Sequence, residues 1–281
     1  MILRYTIIFI LSAIVIAIFL IWENNAVVVT EHNYINNKLH NNFNGFTILH
    51  ISDLHNKDFR GRLTNIIKEI KPDIIVITGD LIDRRRTDLA IASKFLKEIT
   101  VIAPAYYVSG NHEQLSEHFT ELNEILNELH VVNMDDAYIT INKESVEIGL
   151  IGIADPAIKG KEKNYSFENN ENIIRNKLKD LIKSCKTDFK ILLCHRSEQI
   201  NVYKEFNLDL VFSGHAHGGQ IRIPLLGGIL APNQGFFPKY SEGIHNEGLT
   251  SMVVSRGLGN SIFPFRIFNR PELVVVNLRK F

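Results

Sequence analysis

Five short apolar runs each stop at a cluster of Asp, Asn, Gly and His, and this repetition narrows what the chain can fold into. "ILHIS" runs into Asp53 and His55, and "IIVIT" into Gly79, Asp80 and Asp83. "AYYVS" runs into Gly110, Asn111, His112 and Glu113, "ILLC" into His195, and "LVFS" into His215 and His217. A run that is apolar throughout predicts a strand buried on both faces, because a strand with one wet face alternates. Segments of helical spacing lie between and around the runs: "RLTNIIKEI", "LAIASKFLKEI", "HFTELNEILNELH" and "ENIIRNKLKDLIKS". In such α/β sheets the carboxyl ends of the strands form the usual ligand crevice, so residues from 53 to 217 are expected to meet there.

Further strands are expected at "AYITI" and "SVEIGLIGIA", joined by a turn around Asn142 to Glu144, and at "TSMVVSRG" and "ELVVVNL". These later strands are too close together for helical crossovers. Two mixed sheets packed together, with helices outside, accommodate them.

The N-terminus is different in kind. From Tyr5 to Trp22 the chain reads "YTIIFILSAIVIAIFLIW", without a charge. That is long enough to cross a bilayer and longer than the apolar core of a signal peptide, and no A-x-A site follows. Tyr5 and Trp22 stand at its two ends, where amphipathic rings favour the interface. The expected organisation is a short tail (1–4), an uncleaved transmembrane anchor (5–22), an Asn-rich linker (23–45) with a short strand from Ala26 to Thr30, and one domain (46–281). Arg4 precedes the span and Glu23 follows it, so a single-pass protein with its N-terminus in the cytoplasm and its domain outside the cell membrane is expected. The formal net charge is zero, which gives no reason to expect a nucleic-acid partner. Cys185 and Cys194 are too few for a disulfide framework.

Taken singly, the polar residues have structural explanations. Asp53 can cap a turn, Asp83 can cap the helix that follows, and a lone His195 can be a hydrogen-bonded core residue. Their joint position at strand ends favours a metal site.

As an ordered set, "DLH", "GDLID", "GNHE", an isolated His after a strand, and "GHAH" resemble the motifs of the calcineurin-like metallophosphoesterases, from about Phe46 to the C-terminus. The tail "GHAHGGQIRIP…APNQGFFPKY…SRGLGN" is similar to a membrane-associated bacterial branch of that family. The resemblance implies an α/β (α+β) four-layer α-β-β-α sandwich and a two-metal site. Asp53, His55 and His217 would hold one ion and Asn111, His195 and His215 the other, with Asp80 bridging through its two carboxylate oxygens. In extended chain, positions i and i+2 project to the same side, so His215 and His217 can each face one ion, with Gly218 and Gly219 turning the chain beneath. Two divalent ions of the Mn, Fe or Zn type suit the mixed N/O donors. Cys194, next to His195, is expected to point to the opposite face.

The implied reaction is metal-dependent phosphoester hydrolysis, in which the ions activate water for in-line attack on phosphorus. His112 would be the general acid, Asp83 would orient it, and Arg84, in "RRR", would hold phosphate. Relatives often have a Pro after the isolated His, where this chain has "HRSEQ"; Glu113 has no assigned role. The segments "IPLLGGILAPNQGFFPKY" and "SIFPFRIF" suggest a hydrophobic rim for a lipid-linked substrate. A phosphodiesterase or pyrophosphatase acting on a lipid or cell-envelope phosphate is therefore expected. A phosphoprotein (Ser/Thr-type) phosphatase and a non-catalytic metal-binding assembly module are the alternatives; the intact ligand set and His112 argue against the latter.

Overall fold

The computed structural model describes residues 1–157, 167–260 and 263–281, with the side chains of 167–169 outside the description. Of the apolar segment "SIFPFRIF", residues 261–262 lie outside it as well. Two six-stranded sheets form the centre. The first has the order β1 (Val28–Ile35), β16 (Glu272–Arg279), β2 (Thr47–Ile51), β3 (Ile74–Thr78), β4 (Ala105–Val108) and β5 (Val132–Asn133). The second has the order β14 (Gly243–Glu247), β15 (Thr250–Val254), β9 (Leu210–Gly214), β8 (Lys190–Arg196), β7 (Val146–Ile153) and β6 (Ala137–Lys143). Strands β2 to β5 run parallel, as do β7, β8, β9 and β15, while β16, β6 and β14 each add an antiparallel pairing. Two small ribbons, β10 (Arg222–Ile223) with β11 (Gly227–Gly228) and β12 (Leu230–Ala231) with β13 (Gly235–Phe236), follow β9 in the chain.

The expected mixed α/β fold with two large mixed sheets is what forms, and the apolar runs are buried on both faces. Ile48, Val76, Leu193 and Phe212 fill the layer between the sheets. Their chain neighbours Leu49, Ile75 and Ile77 face outward beneath α2 (Arg62–Ile70), α3 (Leu89–Thr100) and α5 (Phe119–Glu128). On the other side Ile151, Leu192 and Val211 pack against α6 (Phe167–Ser184) and α7 (Ile200–Glu205). The helices bury the faces their spacing predicts: Leu63 and Ile67 in α2, and Ala92, Phe95, Leu96 and Ile99 in α3.

Three details differ from the sequence expectation. The cap of α3 is Asp88, which accepts from the N–H groups of Ala90 (3.1 Å) and Ile91 (3.3 Å), so Asp83 is free of that task. The β6–β7 turn is Glu144 and Ser145, at φ 48° and 69°, slightly later than Asn142 to Glu144. Two positive φ values match the twist of a two-residue hairpin. Third, the Asn-rich segment 23–45 holds an eight-residue strand, β1, parallel to β16 along its whole length, and Phe43 is fully buried. An edge strand pairs through its backbone, so Glu31, His32 and Asn33 are tolerated where a central strand would need apolar residues.

Helix α1 (Ile2–Asn25) extends the charge-free stretch at both ends. It is long and apolar enough to cross a membrane, and no residue of its apolar window is buried. Glu23 and Asn24, by contrast, are buried against the C-terminal loops.

Phe212 is fully buried and meets the His50 ring at 5.1 Å in the layer between the sheets. Phe212→Ala should cost about 3–5 kcal/mol in chemical denaturation. A loss below about 1 kcal/mol would mean that this layer is not close-packed.

Candidate metal centre

The carboxyl ends of β2, β3, β8 and β9 bring two groups of ligand atoms side by side. In the first, His217 Nε2 lies 3.1 Å from His55 Nε2 and 3.2 Å from Asp53 Oδ1, and His55 Nε2 lies 3.5 Å from Asp80 Oδ2. In the second, His195 Nε2 lies 3.3 Å from the same Asp80 Oδ2 and 3.1 Å from His215 Nδ1. All six residues are buried. Asn111, at the start of the four-residue helix α4 (Asn111–Gln114) that follows β4, has a buried Oδ1 with no hydrogen-bond partner.

The backbone takes an unusual route to achieve this. Asp53, His55, Asp80, His215 and His217 all have positive φ, from 47° to 66°. Each sits in a left-handed conformation that costs non-glycine residues energy, a strain that clusters at functional sites. The chain is therefore not extended at His215 and His217, and the i, i+2 argument does not describe it. Strand β9 ends at Gly214, and a helical Ala216 between two left-handed histidines sends one ring to each group. Gly218 and Gly219, at φ 61° and 77°, make the expected sharp turn. Gly110 is held at its position by space, since a Cβ there would collide with the Asp80 side chain.

Asp80 does not present both oxygens to the cluster. Its Oδ1 accepts from the His112 backbone N–H at 2.8 Å, which leaves Oδ2 alone between His55 and His195. Glu113 holds this loop. Fully buried, its carboxylate accepts from the N–H groups of Asp80 (2.8 Å), Ile82 (3.0 Å) and Gly110 (2.8 Å). It ties the loop after β3 to the loop after β4, a role that "GNHE" alone does not reveal. Burial, with the Asp80 charge added, pushes Glu113 up to about 8, against those three donors.

Burial pushes His55, His215 and His217 down, His217 to about 3, so their rings are neutral near pH 7. Burial also disfavours charge on His195, but the charge and hydrogen bond of Asp80 outweigh it and raise His195 overall. The Nδ1–H of His195 donates to the Thr78 carbonyl at 2.6 Å, which turns Nε2 toward Asp80. Burial raises Asp53 to about 6, with His195 opposing and Asp80 adding.

His112 is buried, with its ring 4.5 Å from that of His55. Its Nδ1 accepts from the Arg84 backbone N–H at 3.2 Å, which puts the proton of the neutral ring on Nε2. Asp83 Oδ1 lies 3.6 Å from that Nδ1, close enough to act by charge but not hydrogen-bonded. The Asp83 carboxylate is engaged instead by Arg85, through Nη2 (2.9 Å), Nε (3.2 Å) and the backbone N–H (2.9 Å). The Arg84 side chain is exposed. Cys194 points away into the layer under α7, beside the Tyr203 hydroxyl at 3.1 Å.

Other polar residues around the site carry no motif. Arg196, buried, pairs with Asp155 (2.7 and 3.0 Å) and Glu198 (3.3 Å), and its Nη1 is 3.5 Å from His215 Nε2. Asn269 donates from its side chain to the carbonyls of His217 (2.7 Å) and Gln220 (2.9 Å), and its own N–H donates to Glu23 (2.8 Å).

The model of the calcineurin-like phosphoesterases matches residues 46–219. The chain belongs to this family. It is 27% identical over 264 residues to a Bacillus subtilis protein named uncharacterized metallophosphoesterase YkuE, covering 92% of this chain and 87% of that one. It is 26% identical over 239 residues to phosphodiesterase YaeI of Escherichia coli, covering 83% and 82%. Among solved structures, TT1561 of Thermus thermophilus superposes with a TM-score of 0.51 at 15% identity, over 75% of this chain and 89% of that one, a likeness of fold. Family and ligand clusters together make the protein a metal-dependent phosphoester hydrolase, and they point to a dinuclear divalent centre.

The donors fit such ions. Two neutral imidazoles whose Nε2 atoms face each other at 3.1 Å can share only one proton between them, whereas a cation is served by both lone pairs. The unpartnered Oδ1 of Asn111 is a further oxygen donor, and the donor set contains no thiolate. In the metal-free protein, protons on Asp53 and His195 compete with metal, so affinity should rise with pH. Below pH 6, titration calorimetry with Mn²⁺ should lose about tenfold per unit for each proton displaced. Affinity constant from pH 5 to 8 would contradict this. Glu113→Ala should weaken Mn²⁺ binding by about 10- to 100-fold, through the loops it holds; unchanged binding would show that Asp80 keeps its place without it.

Proposed function

We propose that the protein is a membrane-anchored phosphodiesterase or pyrophosphatase acting on a lipid or cell-envelope phosphate. The observation that carries the hydrolytic part is a single oxygen, Asp80 Oδ2, lying between two histidine-bearing ligand groups with His112 alongside. Asp53, His55 and His217 would hold one ion, Asn111, His195 and His215 the other, and Asp80 both. When bound, such ions lower the pKa of water and neutralise charge on phosphoryl oxygens. Mn, Fe or Zn suits the donors.

The chain's own residues supply the rest. Water attacks phosphorus in line with the leaving oxygen, and His112 in its imidazolium form gives the Nε2 proton to that oxygen as the P–O bond breaks, which leaves the ring neutral. The Asp83 carboxylate, 3.6 Å from Nδ1, stabilises that imidazolium before it donates, and the Arg84 N–H orients the ring in its neutral resting form. The Arg84 side chain is exposed and can reach a substrate phosphate. The diester preference is supported by the E. coli relative, which bears the name phosphodiesterase.

The membrane part is supported by α1 and by the apolar tail resembling a membrane-associated branch of the family. With Arg4 before the span and Glu23 after it, the N-terminus lies in the cytoplasm and the catalytic domain, from residue 46 onward, on the outer side.

The test uses the full chain in detergent, stripped of metal and restored with Mn²⁺, Zn²⁺ or Mg²⁺, on an activated phosphodiester and its matching monoester. Metal-dependent turnover that favours the diester, and falls about 100- to 10,000-fold in His112→Ala, is the expected result. Monoester preference would favour a phosphatase instead. Absence of both turnover and metal binding would overturn the proposal.

A further inference from the structure

Beside the metal site lies an apolar surface that hydrolysis does not use. Leu225 and Leu226, in the turn between β10 and β11, are 106% and 68% exposed, and Phe265 and Phe268, in the loop before β16, are 44% and 52% exposed. Turn and loop form one surface. The Arg222 N–H donates to the Ile267 carbonyl at 2.9 Å, Ile221 and Ile267 form a bridge, and Phe268 lines the same hollow as Leu225 and Leu226. Large apolar side chains gathered in this way mark an interaction site in a soluble environment.

The occupant is indicated by α1. The Phe268 ring packs on Phe19 at 5.5 Å, and the Arg270 guanidinium sits over the Trp22 ring at 4.5 Å. Asn24 Oδ1 accepts from the Arg266 N–H (3.0 Å) and from Asn260 Nδ2 (2.9 Å), Glu23 accepts from the Asn269 N–H (2.8 Å), and Lys57 Nζ donates to the Asn24 carbonyl. These bonds fasten the last turn of the helix to the loop, so the two move together. Phe19 belongs to the charge-free stretch and precedes Trp22 by roughly 4.5 Å of helix axis. With Trp22 at the water–lipid boundary, a ring packed on Phe19 is already on the lipid side of it.

We infer that the β10–β11 turn and the 263–268 loop form a bilayer-docking surface that enters the membrane alongside α1. The inference rests on α1 being the anchor. It deepens the proposed function by giving the approach of the substrate. Asn269 joins this loop to the carbonyl of His217, so the metal site lies at the end of the domain that meets lipid. A phosphoester whose head group stands at the lipid surface reaches the site without leaving the bilayer.

Trp22 is the only tryptophan, which makes the surface testable by fluorescence. The full chain is reconstituted in phosphatidylethanolamine–phosphatidylglycerol vesicles, with and without bromine on the acyl chains. The native chain is compared with two double variants, Trp22→Phe with Leu226→Trp and Trp22→Phe with Leu225→Trp. Brominated lipid should quench the native chain and both variants to a similar extent. Quenching of the native chain alone would overturn the docking surface and leave the anchor standing. Quenching of none would overturn both. Metal-dependent turnover of a soluble ester in the same vesicles reports separately on the hydrolytic reading.

Discussion

One carboxylate oxygen stands where two sheets meet. Asp80 Oδ2 belongs to the loop after β3 of the first sheet, with His55 from the loop after β2 on one side and His195 from β8 of the second sheet on the other. For both imidazoles to lie within 3.5 Å of that oxygen, the sheets must pack at one separation and their strands must end at one level. The apolar layer of Ile48, Val76, Leu193 and Phe212 sets that separation. The His195 hydrogen bond to the Thr78 carbonyl then ties the end of β8 to the end of β3. Site and core are thus a single packing problem, and a change in the thickness of the layer is felt at the ligands.

Around the ligands lies a shell of buried polar groups whose work is positional. Glu113 gathers three backbone N–H groups from two loops; Asn269 holds the His217 turn; Arg196, with Asp155 and Glu198, backs His215. A buried carboxylate is costly unless it is hydrogen-bonded, and here the bonds go to the very loops that carry ligands. The same network continues outward through Glu23 and Asn24 into α1, so this helix is built onto the domain.

The fold was legible because its signal is local. A strand covered on both faces must be apolar at every position, and Ile48 and Leu49 show why: they enter different layers. The residues of the two clusters were legible as candidates because they follow such runs. Less legible were elements that owe their existence to a partner. Strand β1 pairs along a sequence containing Glu31, His32 and Asn33, and Glu113 looks like one more polar loop residue until the N–H groups around it are located. The histidine pair shows a different failure. Period-two projection holds only for extended chain, while the backbone divides the two rings by left-handed turns.

The sequence alone determined the apolar runs, the residues that end them, the family they belong to and the hydrophobic N-terminal helix, since each is written in consecutive residues. Tertiary structure decided which oxygen of Asp80 is shared, that Asp83 is held by Arg85 and stands off from His112, and that Glu23 and Asn24 are buried. Those outcomes depend on distances between groups far apart in the chain, and such distances exist only once the two sheets have closed on each other.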